Sequence, residues 1–230
     1  MSLILLIETA TTSCSVALAE ADAIIALREI DQRNIHAEVI TVYIDEVFKE
    51  TGKLIADIDA VTVSSGPGSY TGLRIGVSTA KGLCFSLDKP LITIETLSSM
   101  AHGLIARGEV EITPNTLLCP MIDARRMEVY TALFDSTGKE IKATAAEIID
   151  VNSFDDVLAK NEIIFFGDGA EKCRTTLSHQ PNAIFVDGFS NSARDLLVPA
   201  IQKLNHQDFA DVAYFEPFYL KDFIAGVKKQ

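Results

Sequence analysis

The sequence predicts an α/β protein built as two variations on one mixed-sheet plan, the second abbreviated. Three observations carry this reading: strand-like runs open the chain, a strand, glycine turn and helix follow, and a strand with a Gly-Asp-Gly turn recurs in the second half. At 230 residues the chain exceeds the common domain size of ~100 to 150 residues, and 48% hydrophobic content supplies a core.

Leu3 to Glu8 is an apolar run too short for a helix, closed by the polar turn Thr9 to Ser13. Ser15 to Ala19 and Ala23 to Ile30 supply two more strands, so the opening reads as an antiparallel meander. From Asn34 to Thr51 the pattern turns helical, with Asn34 as the expected N-cap and Gly52 past the end. At ~100° per residue, its apolar side chains spread over an arc of roughly 240°, wider than one sheet contact requires. A second contact is expected there.

Ala60 to Ser64 is β-branched and reads as a strand, Gly66 to Ser69 as a turn, and Tyr70 to Leu87 as a helix capped by Ser69. Gly72, Gly76 and Ala80 fall four residues apart and leave one face of this helix without bulk, so something packs closely against it. Pro90 to Ile94 and Thr96 to Ala106 add a strand and a helix, and the domain boundary is expected near residue 108, giving halves 1–108 and 109–230. Beyond it come strands Thr116 to Ile122 and Glu128 to Phe134, a turn at Ser136 to Gly138, and a helix near Ser153 to Lys160. Strand Glu162 to Phe166, Gly167-Asp168-Gly169 opening a helix, a helix from Ser192 to Leu204 and an aromatic tail complete the chain.

Charge and cysteine use exclude several classes. The net charge of -12 disfavours independent nucleic-acid binding, which ordinarily relies on a basic patch. Cys14, Cys84, Cys119 and Cys173 form no C-x-x-C pair and read as small buried hydrophobes. The apolar N-terminus lacks a basic region and stops at Glu8, so no membrane span and a cytoplasmic location are expected.

Gly66-x-Gly68-x-x-x-Gly72 has the look of a phosphate-binding turn, but it follows a meander and a helix instead of the first strand of a βαβ unit. His36 would need a second histidine four residues on to hold a metal, and that position is Ile40. No G-x-S-x-G or comparable nucleophile arrangement is present. Asp123, Glu128 and Asp168 sit at strand ends or turns, where carboxylates serve either Mg²⁺ with a nucleotide or the turns themselves.

With these residues in view, the chain resembles the TsaB (YeaZ) family of tRNA threonylcarbamoyladenosine biosynthesis proteins. The resemblance runs over nearly the whole chain. It rests on Leu5 to Leu18, His36-Ala37-Glu38, Ser65 to Gly82 (SGPGSYTGLRIGVSTAKG), Asp123 to Tyr130 (DARRMEVY), Gly167 to Ala170 (GDGA) and Pro217 to Lys221 (PFYLK). Glu8 stands where an aspartate is usual in the family and Tyr70 where a phenylalanine is.

The resemblance implies the ASKHA fold of actin and Hsp70-like ATPases, in a catalytically silent relative of the enzyme TsaD. Ile40 breaks the His-x-x-x-His of TsaD-type members, and Glu8-Thr9-Ala10 and Asp123-Ala124-Arg125 lack the glycine of ASKHA phosphate loops. Glu8, Asp123, Gly167, Asp168 and Gly169 are the residual candidates for a nucleotide contact. No cofactor and no catalytic residue are expected.

The resemblance further implies that the first two helices dock on a TsaD-type paralogue. The expected interface is His36, Val39, Ile40, Tyr43, Ile44 and Val47 with Ser69, Tyr70, Gly72, Leu73, Arg74, Gly76 and Ala80. Without that paralogue, the same face could pair two copies of the chain. A TsaE-type ATPase and a TsaC-type threonylcarbamoyl-AMP synthase belong to the implied pathway, with tRNA met only through the complex. The rival readings are an ASKHA-type ATPase or a glycoprotease-like metallohydrolase acting alone.

Overall fold

The structure is a computed structural model that describes residues 2–221; the last residues of the expected second half, 222–230, lie outside the described residues. The meander forms as β1 (Leu3–Glu8), β2 (Ser13–Glu20) and β3 (Ala23–Asp31). It is followed by α1 (His36–Thr51), β4 (Ala60–Gly66), α2 (Tyr70–Leu87), β5 (Leu91–Glu95) and α3 (Thr96–Arg107). The second half runs β6 (Thr116–Asp123), β7 (Glu128–Phe134), β8 (Glu140–Ile148), α4 (Asp155–Leu158), β9 (Glu162–Phe166), α5 (Ala170–Leu177) and β10 (Ala183–Phe185). A 3-10 turn (Ala193–Leu196) leads into α6 (Leu197–His206).

The two sheets share one topology. The first has the order β3-β2-β1-β4-β5 and the second β8-β7-β6-β9-β10. In each, the first strand pairs antiparallel with its successor and parallel with the strand reached across a helix. Burial of both faces explains the apolar runs, because successive side chains leave a strand on opposite sides. Leu3, Leu5 and Ile7 of β1 join the core under α1 and α2, while Ile4 and Leu6 join the core under α6. Likewise Ile163 and Phe165 of β9 face α4 and α5, and Ile164 and Phe166 face α3.

This arrangement corrects the expected boundary near residue 108. Leu97, Met100, Ala101 and Leu104 of α3 bury against the second sheet. Ala193, Leu196, Leu197 and Ala200 of the C-terminal helix return to the first. The cores therefore exchange helices across the chain midpoint, and the middle layer holds α3 and α6. Arg107 and Asp195 lock that layer: the guanidinium donates to Asp195 Oδ1 (3.1 Å) and Oδ2 (2.8 Å).

Local corrections are smaller. Asn34 is not the N-cap of α1; it takes a left-handed φ of 62°, and Ile35 occupies the cap. The helix expected from Ser153 to Lys160 shrinks to one turn, and the Ser192 to Leu204 helix divides into the 3-10 turn and α6. No helix among the described residues is long and apolar enough to cross a membrane.

Candidate functional site

The β1–β2 turn and the glycine-rich turn meet at the carboxyl ends of β1 and β4. Ser69 caps α2 by accepting the Gly72 N–H at 3.2 Å, and its own N–H donates to Ala10 O at 2.6 Å. A Cβ on Gly68 would overlap Ala10 O, one on Gly72 would overlap Thr9 O, and one on Gly76 would overlap Thr9 Oγ1. The groove that resembles a phosphate cradle is thus occupied by the chain's own Thr9-Ala10 backbone, and a nucleotide phosphate does not fit it.

The same contacts correct part of the expected interface. Gly72, Leu73, Gly76 and Ala80 are buried against β1 and β4, so the bulk-free face of α2 serves intramolecular packing. His36, Ile40, Ile44 and Val47 are also buried, in the core over the first sheet. The His36 ring reaches inward, with Nε2 3.0 Å from Thr11 O, and so props the β1–β2 turn. Val39, Tyr43 and Tyr70 are half-buried, and Ser69 and Arg74 are exposed.

What α1 and α2 do present outward is a different set. At ~100° per residue, Thr71, Ile75, Ser78 and Gly82 stand opposite the buried line of Gly76, Ala80 and Cys84. Thr71, Ser78 and Gly82 are exposed, and nothing lies within 4 Å of a Cβ built on Gly82. Phe85 on α2 is 86% exposed and Val42 on α1 48%. Phe85 is the most exposed large hydrophobic side chain among the described residues.

Glu8 is sealed inside the first sheet. Its Oε1 accepts from Ala10 N (2.6 Å) and Ser64 Oγ (2.8 Å), and Oε2 has no partner. Burial pushes its pKa up to about 7, against the pull of those two donors. A carboxyl so enclosed is suited to holding the turn, and it lies too deep to meet a ligand.

Asp123 and Asp168 come together at the matching end of the second sheet. Asp123 N–H donates to Asp168 Oδ1 at 3.0 Å, and Asp123 forms an ion pair with Lys172. Desolvation works to raise the Asp123 carboxyl, yet the Lys172 ammonium, the Arg125 N–H and the charge of Arg33 outweigh it and hold its pKa low. Burial raises that of Asp168. Gly167 and Gly169 press on the Met121 and Ile122 backbone, so these glycines also serve the strand beside them. Among the described residues, no group of three or more His, Cys, Asp or Glu side chains could hold a metal ion.

The tail completes the region, and the sequence pattern gave its aromatic content without its course. Phe218 N–H donates to Ser65 O (2.7 Å), and a Cβ on Gly66 would come within 2.6 Å of Phe218 O. Tyr219 packs on Tyr70 at 4.8 Å between ring centroids, Lys81 donates to Phe215 O (2.9 Å), and Lys221 pairs with Glu128 of β7. The tail therefore straps the glycine turn to the second sheet.

Comparison with known proteins follows the same lines. The family model described as "TsaD: tRNA N6-adenosine threonylcarbamoyltransferase" matches residues 29–229. The tRNA threonylcarbamoyladenosine biosynthesis protein TsaB of Escherichia coli (strain K12) is 30% identical over 233 residues, covering 98% of this chain and 97% of that protein. The tRNA N6-adenosine threonylcarbamoyltransferase of Bacillus subtilis (strain 168) is 41% identical over 75 residues, 33% of this chain and 21% of that enzyme. The solved structure of YeaZ from Pseudomonas aeruginosa shares the fold with a TM-score of 0.79 at 23% identity, covering 96% of this chain and 100% of that one.

Proposed function

The chain belongs to the TsaB (YeaZ) family, and from that premise we propose that it serves tRNA threonylcarbamoyladenosine synthesis as a non-catalytic partner of a TsaD-type enzyme. The observation that carries the non-catalytic part is the filled cradle. Thr9 and Ala10 occupy the space at Gly68, Gly72 and Gly76 where phosphate would need backbone access. Ile40, the position a second metal-binding histidine would take, is 2% exposed and part of the core, which argues against the metallohydrolase reading.

The partner part is supported by the outward face of α1 and α2, with exposed Val42 and Phe85 as its anchors. Small residues at Thr71, Ser78 and Gly82 admit a helix of the TsaD-type paralogue at short range. In the absence of that paralogue the same face accepts a second copy of the chain. The TsaE-type ATPase and TsaC-type synthase act beside this pair, and tRNA is reached through the complex.

Reconstitution tests the proposal. Transfer of the threonylcarbamoyl group to a tRNA transcript is expected only when the chain and its TsaD-type paralogue are both present, with no ATP hydrolysis by the isolated chain. ATP turnover by the chain alone, or full transfer by the paralogue without it, would sink the reading.

A further inference from the structure

The β6–β7 connection is a tight hairpin turn made from two arginines. Ala124 N–H donates to Glu128 O (3.1 Å) and Glu128 N–H to Arg125 O (3.2 Å), closing the turn around residues 125–127. Arg125 and Arg126 carry φ values of 72° and 52°. The hydrogen bond from Glu128 places them at the first two positions of the four-residue turn 125–128, and such left-handed positions favour Asn and Gly because longer L side chains crowd the following carbonyl. A sequence that keeps two long side chains there accepts strain to present them, and such strain is a pointer to function.

The charge arrangement gives the presentation a direction. Both arginines are exposed, and neither forms an ion pair among the described residues. The neighbouring carboxylates are taken instead by lysines, Asp123 by Lys172 and Glu128 by Lys221. Arg33, in the β3–α1 loop of the first sheet, is exposed and close enough for its charge to act on Asp123. Deeper in, Asp168 and Asp31 lie within electrostatic reach of each other and would repel an anion. The favourable place for a phosphate is therefore the outer rim.

We propose that Arg125 and Arg126, assisted by Arg33, grip the phosphodiester backbone of tRNA once the chain is assembled with its enzyme partner. This rests on the partner reading above. An exposed hairpin tip suits a polyanion that passes over a surface, whereas a nucleotide needs enclosure, and the adjoining Gly167 and Gly169 are packed on their own strand. The net charge of -12 keeps the isolated chain from holding RNA, so the contact becomes effective only beside the partner.

The test is the double variant Arg125→Asn, Arg126→Gly, which removes both charges and supplies the residues the turn favours. It should elute with the TsaD-type paralogue as the wild type does, and melt ~2 to 4 °C higher. Binding of an unmodified tRNA transcript to the complex should lose about two units of slope in log affinity against log salt. Between 50 and 200 mM salt, the wild-type complex should thus weaken about tenfold more than the variant. ATP binding is measured in parallel. Unchanged tRNA affinity and salt slope in an intact variant complex would overturn the inference, as would a loss confined to ATP. A variant that no longer joins the paralogue would reassign the tip to a protein contact. A wild-type chain that does not join it at all would defeat the partner reading first, and this one with it.

Discussion

The two sheets repeat one strand order, yet the layers over their outer faces differ several-fold in size. Over the first sheet lie α1 with 16 residues and α2 with 18. Over the second the equivalent positions hold α4 with 4 residues and α5 with 8. The second set seals a core of Leu158, Ala170, Cys173 and Leu177 against Cys119, Met121, Ile163 and Phe165 and goes no further. The first set seals its core and also leaves Val42 and Phe85 in solvent. The surplus length of α1 and α2 is where the proposed partner surface lies, so the contrast between the halves is what the following variants are chosen to break.

The largest expected effect breaks the junction between the two halves. Asp195→Ala leaves the Arg107 guanidinium half-buried without its carboxylate, and is expected to cost roughly 3 to 5 kcal/mol in urea unfolding. Unchanged stability would mean that the exchanged helices are held by apolar packing alone. Gly72→Leu follows: its side chain meets the Thr9 carbonyl, which no rotamer change can move aside, for a loss of ~3 kcal/mol. Were Gly72→Leu to fold normally while losing only the paralogue, that stripe would face the partner after all.

Next comes the pH dependence set by Glu8. Its folded pKa of about 7 lies above the ordinary 4.5, so the stability it contributes is complete below 4.5 and is lost as the pH rises through 7. The full shift corresponds to about 3 kcal/mol. Glu8→Gln, which keeps an acceptor for Ala10 and Ser64, should flatten this decline in melting curves taken across that range; a decline that persists would assign it elsewhere. The matching carboxylate of the second sheet, Asp123, behaves oppositely: it is exposed and held low by Lys172.

Much of the architecture was legible in residue patterns. β1, β6 and β9 are nearly continuous apolar runs and β4 a β-branched one because helices cover both of their faces, and such runs stand out in any reading. β8 escaped because EIKATAAEI lies at a sheet edge with none of its residues buried, and small alanines carry most of its polar–apolar alternation, a weak signal. β10 has three residues and no pattern to speak of. The exchange of α3 and α6 between cores was invisible because an apolar helix face does not name the sheet that it covers. The stripe of Gly72, Gly76 and Ala80 was read correctly as a site of close approach and wrongly as facing a partner. A glycine says that something is near, and only the Thr9-Ala10 turn says what.

The central claim, that the outward face of α1 and α2 and not the glycine stripe meets the partner, is tested most directly by Gly82→Arg in co-elution with the TsaD-type paralogue. Gly82 is exposed in mid-helix with open space around its Cβ position, so the substitution should leave the isolated fold intact or firmer by ~1 kcal/mol. The account predicts a folded variant that no longer co-elutes with the paralogue. A variant that co-elutes as the wild type does would contradict it.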